Sequence, residues 1–197
     1  MISPIIKLIQ KECGKQEIKN VMGLDASLTN SGYAVRYKEE GKFHSITGIM
    51  KSPKVDARRL KYFYDEFKAK LAELDVNLII KEGYAYDKAN RSHAIGELGG
   101  VLALAAFENK VPIIFVAPTT LKKFITGSGK GKKSAIMKDV YKKWKFDTSD
   151  DNIADAYGLM KIGMAVRKFV NKGDKAFNKT LKYEKECLST VLKMKIK

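Results

Sequence analysis

The sequence predicts an α/β domain built on a mixed five-stranded sheet, in which three antiparallel strands lead into two parallel ones. Three short apolar runs, at residues 21–27, 32–37 and 43–50, follow one another directly, and a charged, glycine-containing turn between the last two is typical of a hairpin. Later apolar runs at residues 76–80 and 111–116 alternate with segments of helical period. That alternation indicates β-α-β units with parallel strands.

The helices are predicted from apolar spacing and from the residues at their ends. In residues 57–74, Leu60, Phe63, Phe67 and Leu71 recur at helical intervals. Further helices are predicted at residues 92–109, 119–125, 134–144, 150–169 and, near the C-terminus, 180–194. The long helix near residue 150 carries acids in its first turn, where the helix dipole favours negative charge. Up to this helix, the predicted order is β-β-β-α-β-α-β-α-α-α.

Length and composition favour one domain with a short segment at each end. The chain has 197 residues, of which 45% are hydrophobic and 30% are charged, so it can bury a sizeable core. We predict an N-terminal extension over residues 1–19, a folded domain over residues 20–170 and a basic tail over residues 171–197.

Membrane and disulfide-rich classes are excluded by the same composition. The longest apolar stretch, residues 99–107, is too short to span a bilayer, and the N-terminus has no cleavable signal pattern. Cys13 and Cys187 lie at opposite ends of the sequence, which argues against a disulfide scaffold or a clustered cysteine metal site. We therefore expect a protein of the cytoplasm that does not bind membranes.

The formal net charge of +16 originates in two blocks of the C-terminal half. Residues 118–145 contain nine lysines and one acid, residues 161–197 contain eleven basic residues and three acids, and the charges cancel elsewhere. Such clustering indicates a polyanionic partner, and nucleic acid is favoured over an acidic membrane surface. A solvated lysine-rich surface is the alternative interpretation.

Acidic residues are predicted to converge at one end of the sheet. Asp25 ends the first strand and Glu82 follows the fourth, while Asp151 and Asp155 share one helix face. Sites form at strand ends in α/β sheets, and a buried carboxylate is costly unless it is paired or metal-bound. Three or four carboxylates suit Mg²⁺ or Mn²⁺, and two such ions can activate water against a phosphodiester. Taken singly, Asp151 can be a helix N-terminal acid and Glu82 a loop acid.

A loop rich in glycine and lysine is the second candidate site. The loop spans residues 126–134 and contains three lysines, Lys130, Lys132 and Lys133. It does not match a Walker A motif, because the register fails and no strand precedes it. Each lysine can act as a point charge on a nucleic-acid phosphate, although a solvated helix–helix connection has the same composition.

Two tyrosines follow the fourth strand closely. Tyr84 and Tyr86 alternate with small residues just after Glu82. Aromatic rings beside a catalytic acid can stack on an unpaired base, but packing in the core or on the surface is equally compatible with this pattern. His44 and His93 have no metal-ligand partners nearby in sequence, and we interpret both as structural.

Together these motifs resemble those of the RuvC-type Holliday junction resolvases. The similarity covers about residues 21–169 and rests on motifs in the family's order: Gly-Leu-Asp-Ala-Ser-Leu-Thr-Asn-Ser-Gly at 23–32, Ile-Ile-Lys-Glu at 79–82, the proline and glycine-loop region at 117–129, and Asp-Asn-Ile-Ala-Asp-Ala at 151–156. The resemblance implies an RNase H-like fold. It also implies a dimeric, Mg²⁺-dependent endodeoxyribonuclease that nicks four-way and other branched DNA, with Mn²⁺ as a substitute ion.

The resemblance also assigns roles to single residues. It implies that the catalytic and metal-binding acids are Asp25, Glu82, Asp151 and Asp155. Lysines at functional family positions are Lys122 and Lys133, and we expect further DNA contacts from Lys123, Lys130 and Lys132. The family's base-stacking aromatic corresponds to Tyr84 or Tyr86. No organic cofactor is expected.

The dimer that the resemblance implies uses the helix predicted at residues 92–109. Three glycines of this helix, Gly96, Gly99 and Gly100, would allow a second copy to approach closely. A two-fold dimer would place two active sites on a four-way junction of matching symmetry.

The sequence departs from the family pattern in two places. The last two acids lie four residues apart instead of three, with Asn152 between them, so the fourth carboxylate is either Asp151 or Asp150. The extension and the tail exceed the compact bacterial pattern and suggest a divergent or viral member, which would act in the host cytoplasm. Three other functions stay open: a ribonuclease acting on RNA–DNA hybrids, an actin-like ATPase, and a non-catalytic binder of branched DNA.

Overall fold

A computed structural model describes residues 3–13, 17–83, 89–128, 133–172, 176 and 180–193. Within these residues the strands are β1 (Asn20–Asp25), β2 (Ser31–Glu39), β3 (Lys42–Met50), β4 (Val76–Glu82) and β5 (Ile113–Val116). They form one sheet in the order β3-β2-β1-β4-β5. β2 pairs antiparallel with β1 and β3, whereas β4 pairs parallel with β1 and β5. The predicted mixed sheet is confirmed.

Helices cover both faces of this sheet. Those in the described part of the chain are α1 (Pro4–Cys13), α2 (Asp56–Glu73), α3 (Ala89–Glu108), α4 (Pro118–Thr126), α5 (Lys133–Trp144), α6 (Asp151–Lys172) and α7 (Lys182–Leu192). Each predicted helix is present, with ends that differ by a few residues. The prediction placed the start of α3 three residues too late.

The strand ends lie within two residues of the prediction, and β1 ends at Asp25 as predicted. β1 stops at Asp25 because the following residues form a turn, in which the Ser31 hydroxyl donates a hydrogen bond to the Ser27 carbonyl at 2.6 Å. β5 begins at Ile113 and not at residue 111, since Pro112 has no N–H to donate to the sheet. The hairpin between β2 and β3 is confirmed: Glu40 and Gly41 both have positive φ, as a two-residue turn requires.

The sheet is apolar on both faces, so β1 and β4 are central strands. Met22 and Leu24 pack with Ile79 against α2 and α3. On the other face, Val21 and Ile80 pack against α6, together with apolar side chains of α4 and α5. From Val21 in β1 and Leu78 in β4 onward, alternation along each strand therefore assigns successive residues to the two helical layers.

The two end segments share the core of the domain. Ile6 and Ile9 of α1 are buried in the same cluster as Cys187 and Leu188 of α7, which also contains Val21 of the sheet. The Ser3 hydroxyl donates a hydrogen bond to the carbonyl of the last residue of α7. The division of the chain at residues 20 and 170 stays a prediction, and the packing adds that neither described end segment is separate from the domain. No helix within the described ranges is long and apolar enough to cross a membrane.

Candidate active site

The last residues of β1 and β4 bring two carboxylates to one edge of the sheet. Leu24 pairs with Lys81 across these parallel strands, so Asp25 and Glu82 follow at the same level. Leu24 faces α2 and α3, and alternation therefore directs Asp25 to the α6 face. Glu82 is directed to the same face, since Ile80 packs against α6. Both acids are half-buried.

The start of α6 lies directly on this edge because two glycines allow it to. A Cβ at Gly32, the residue opposite Asp25, would lie 2.3 Å from the Asn152 carbonyl oxygen. A Cβ at Gly23 would lie 2.0 Å from the Ala156 carbonyl oxygen. Any side chain at either position would push α6 off the sheet. The first turns of α6 therefore run beside Asp25, and they carry the other two predicted acids.

The acids of α6 have distinguishable surroundings. Asp150 caps the helix, since its Oδ1 accepts hydrogen bonds from the backbone N–H groups of Asn152 at 2.8 Å and Ile153 at 3.1 Å. Asp151 and Asp155 are half-buried one turn apart, and the Oδ1 atom of Asp155 is fully buried. Because the cap engages Asp150, the geometry favours Asp151 as the fourth carboxylate.

The backbones of these four acids converge, but their side chains do not form a ready cage. Among the described residues, no three acidic, histidine or cysteine side chains are grouped closely enough to hold a metal ion. The donor set nevertheless fits Mg²⁺, which prefers oxygen ligands and retains several of its waters, so it does not need a complete protein cage. The metal site and its ligands stay predictions.

A buried lysine lies behind the carboxylates and was missed by the sequence reasoning. Lys81 is only 2% exposed; its Nζ donates to the Glu82 carbonyl at 3.1 Å and lies 5.7 Å from the centroid of the Phe115 ring. Burial lowers the pKa of Lys81, and the negative charges of Asp25 and Glu82 act in the opposite direction. Its charge reduces the repulsion among the carboxylates. The signal was available, because a lysine interrupts an otherwise apolar strand.

The predicted DNA-binding residues fall into two groups. Lys122 and Lys123 are partly exposed on α4, and Lys123 Nζ forms an ion pair with Glu186 of α7 at 2.7 Å, which raises the pKa of Lys123. Glu184 pairs in the same way with Lys143 of α5 at 2.6 Å. The acids of α7 thus neutralise part of the first basic block. Outside the described residues lie Tyr84, Tyr86, Lys130, Lys132 and the side chain of Lys133.

A mixed sheet of this order, with acids at the ends of two central strands and at the start of a helix packed across them, defines the RNase H-like class. The family model for the crossover junction endodeoxyribonuclease RuvC matches residues 21–162. The chain therefore belongs to the RuvC family. The resemblance stated from the motifs is confirmed.

Single relatives agree with the family match. The chain is 30% identical to a crossover junction endodeoxyribonuclease RuvC of Chlamydia trachomatis, over 71% of this chain and 87% of that protein. It is 29% identical to the crossover junction endodeoxyribonuclease RuvC of Rhodopirellula baltica, over 73% of this chain and 84% of that protein. The structure of Thermus thermophilus RuvC in complex with a Holliday junction substrate has a TM-score of 0.63 at 20% identity, over 80% of this chain and 97% of that one. This last similarity confirms the fold.

Proposed function

We propose that this protein is a Holliday junction resolvase, a structure-specific endodeoxyribonuclease that nicks four-way and other branched DNA by metal-dependent hydrolysis. The observation that carries the proposal is the convergence of Asp25, Glu82 and the start of α6 at one edge of the sheet. Membership of the RuvC family supports the substrate, because the relatives are named crossover junction endodeoxyribonucleases. The net charge of +16 suits a polyanion of this kind.

The four acids are the proposed metal ligands and catalytic groups. Asp25, Glu82, Asp151 and Asp155 would hold Mg²⁺, for which Mn²⁺ can substitute. When bound, the metal supplies an activated water and a Lewis acid for the leaving oxygen. The chain itself contributes the placement: Asp25 and Glu82 are fixed by paired strands, and Asp151 and Asp155 by a helix capped through Asp150.

DNA contacts beyond the acids are proposed for the basic loop and its flanks. Lys122 and Lys123 on α4 would contact junction phosphates together with the loop lysines, Lys130, Lys132 and Lys133. Tyr84 or Tyr86 would stack on a base near the scissile bond. The ion pair of Lys123 with Glu186 predicts that Lys123 contributes less than Lys122.

The proposed homodimer would form through α3. Gly96, Gly100, Leu104 and Phe107 follow one another at helical spacing, so they lie on one face. Leu104 is 51% and Phe107 77% exposed, and neither glycine position has a described atom within 4 Å of its added Cβ. Gly99, in contrast, is buried against the core, so only two of the three predicted glycines are on this face. A stripe of this kind is typical of an interface.

The test of the proposed function is cleavage of a synthetic four-way DNA junction. Linear duplex and RNA–DNA hybrid serve as competing substrates, and each reaction is run with Mg²⁺ and with chelator. We expect paired, symmetric nicks near the crossover, which disappear with chelator and in Glu82→Gln. Glu73→Gln, which makes the same change at an exposed position of α2, should cleave like wild type. Preferential cutting of the hybrid would indicate a ribonuclease, and binding without cutting a non-catalytic protein; either result contradicts the proposal.

A further inference from the structure

A group of cations and aromatic rings lies on the α6 face, away from the carboxylates. We call it the distal cluster; its members are Arg36, Ser45, Trp144, Tyr157 and Lys161. The Ser45 hydroxyl joins its two halves, because it contacts both Arg36 and the Tyr157 hydroxyl, and Tyr157 in turn contacts Lys161. We call the end of the sheet that carries Asp25 and Glu82 the acidic edge. Arg36 is four residues along β2 from Gly32, which places it about 13 Å from this edge. Lys161 is ten residues along α6 from Asp151 and six from Asp155, which corresponds to about 15 Å and about 9 Å along the helix axis.

Aromatic rings hold the cations of the distal cluster in place. Lys161 Nζ lies 4.9 Å from the centroid of the Tyr157 ring and 5.7 Å from that of Trp144, within the range of cation–π contacts. Phe146 stacks on Tyr157: the centroids of the two rings are 3.9 Å apart, and their planes differ by 3°. Arg36 is tied to β3, because its Nη1 donates to Ser45 Oγ at 3.0 Å. Each cation therefore has a partner within the cluster that restrains its side chain.

The charge of the distal cluster is unbalanced within the part of the chain that the structure describes. Neither Arg36 nor Lys161 forms an ion pair with a described acid, whereas the neighbouring Arg167 pairs with Glu17 at 3.1 Å. Burial, together with the like charge of Arg36, lowers the pKa of Lys161 to about 8. Guanidinium and ammonium groups only donate hydrogen bonds, and they need acceptor oxygens with negative charge.

A half-buried lysine beside a second cation costs stability, and a protein keeps such a group where it has a ligand. The set of donors, one planar guanidinium and one ammonium beside a hydroxyl, matches the oxygens of a phosphate. A separation of about 13 Å along a duplex is the rise of roughly four base pairs. A DNA arm that enters at the acidic edge and follows α6 would therefore bring backbone phosphates to the distal cluster.

We propose that the distal cluster is a second DNA contact, at which Arg36 and Lys161 bind a backbone phosphate of a junction arm. This inference rests on the function proposed above. It adds a subsite to the DNA-binding residues that the motifs singled out, and it gives Lys161, which begins the second basic block, a defined partner in Arg36. The site would position the arm and would not touch the scissile phosphate. Its loss should weaken binding and leave the cleavage positions unchanged.

The experiment measures junction affinity at a series of salt concentrations in the Glu82→Gln protein, which we expect to bind without cutting. Arg36→Gln and Lys161→Met are added singly and together. Each lost phosphate contact should reduce the slope of log affinity against log salt by about 0.9. Affinity should fall about fivefold for each single variant, the usual effect of one lost charged contact. Lys61→Met, the same substitution at an exposed position of α2 on the other layer, is the matched control and should change neither quantity.

The outcomes separate the inference from the function on which it rests. If the Glu82→Gln protein does not bind the junction at all, the proposed function fails and the inference with it. If it binds, and the double variant keeps its affinity and salt slope, the resolvase proposal stands and the distal cluster is not a phosphate site. Poly-glutamate that binds wild type but not the double variant, with junction affinity unchanged, would assign the cluster to an acidic protein and overturn the DNA contact. Thermal unfolding of each variant confirms that it is folded.

Discussion

The two charged regions on the α6 face, the acidic edge and the distal cluster, are constructed in different ways. Backbone geometry assembles the acidic edge: two strands end together, and a helix begins beside them. The distal cluster is assembled by side chains, through ring contacts and the hydrogen bond from Arg36 to Ser45. A lysine behind the sheet, Lys81, offsets charge at the acidic edge. In the distal cluster the described charged groups are both cations, which makes it the region that needs an external anion.

Both regions depend on the close packing of α6 against the sheet. Gly23 and Gly32 fix the N-terminal half of α6, and Gly163 does so further along, where an added Cβ would lie 2.3 Å from Val21. One packing feature, the close approach of α6 to the sheet, therefore supports two sites of opposite charge.

The largest effect is expected from Gly23→Val, which should damage both regions together. The new side chain would collide with the backbone of α6 at Ala156, which cannot move without lifting the helix. We expect the free energy of unfolding to fall by about 3 kcal/mol. Urea unfolding measures this loss. Ala69→Val, which places the same branched side chain at an exposed position of α2, is the control and should lower the free energy of unfolding by no more than about 0.5 kcal/mol. A Gly23→Val protein as stable as wild type would refute the packing argument.

A smaller effect separates the two neighbouring acids at the start of α6. Asp150→Ala removes the helix cap, so the free energy of unfolding should fall by about 1 kcal/mol while junction cleavage persists. Asp151→Asn should instead abolish junction cleavage and leave the free energy of unfolding unchanged, because it removes a proposed ligand and keeps the cap. Unfolding and cleavage are measured on both variants. Loss of cleavage in Asp150→Ala, with full activity in Asp151→Asn, would exchange the two assignments.

The pH dependence of stability sharpens the contrast at the distal cluster. Lys161, with a pKa near 8 in the folded protein and a higher one when unfolded, is protonated in both states below pH 8. Above that pH the unfolded state binds more protons, so the contribution of Lys161 to the free energy of unfolding rises between about pH 8 and pH 10.5. Lys161→Met should remove this rise. Because Lys161 is partly exposed, the substitution should increase the free energy of unfolding at pH 7 by only about 1 kcal/mol. Urea unfolding at pH 7 and pH 9 measures it, with Lys61→Met as the control; parallel curves for wild type and Lys161→Met would contradict the prediction.

The smallest effect is expected at the acidic edge from Lys81→Met. A positive charge beside the carboxylates opposes the binding of a metal cation, so the variant should need about threefold less Mg²⁺ for half-maximal cleavage. Titration of cleavage rate with Mg²⁺ gives this value. Lys70→Met on α2 serves as the control, since Lys70 pairs with Glu66 away from the site. An unchanged or higher Mg²⁺ requirement in Lys81→Met would show that Lys81 does not act on the metal through its charge.

Much of the fold, and the positions of the four acids at strand and helix ends, could be predicted because the signals are local. The hairpin turn at Glu40 and Gly41, the apolar strands and the helical periods are each read within about twenty residues. Asp25 and Glu82 stand out since a charge ends an apolar run. The role of Asp150 was left open, because two adjacent acids at a helix start have the same local pattern until the hydrogen bonds identify the cap.

The end segments show where local patterns were insufficient. The spacing of Cys187, Leu188, Val191 and Leu192 indicates a helix with one apolar face, but nothing near them in sequence identifies what covers that face. Their partners include Ile6 and Ile9 at the other end of the chain. The ion pair of Lys123 with Glu186 joins residues 63 positions apart, and it gives a predicted DNA-contacting lysine a structural partner.

The sequence by itself determined the class of fold, the family and the strand and helix ends that carry the acids, because each of these follows from residue types and spacing along a short stretch. Only the tertiary structure decided that α1 and α7 complete the core, that Lys81 lies behind the acids, and that Arg36 and Lys161 meet. Arg36 and Lys161 are separated by more than a hundred residues and become neighbours because α6 crosses β2 and β1 at a distance set by Gly23 and Gly32. No local period encodes such a contact, since it depends on which faces of distant elements are packed together.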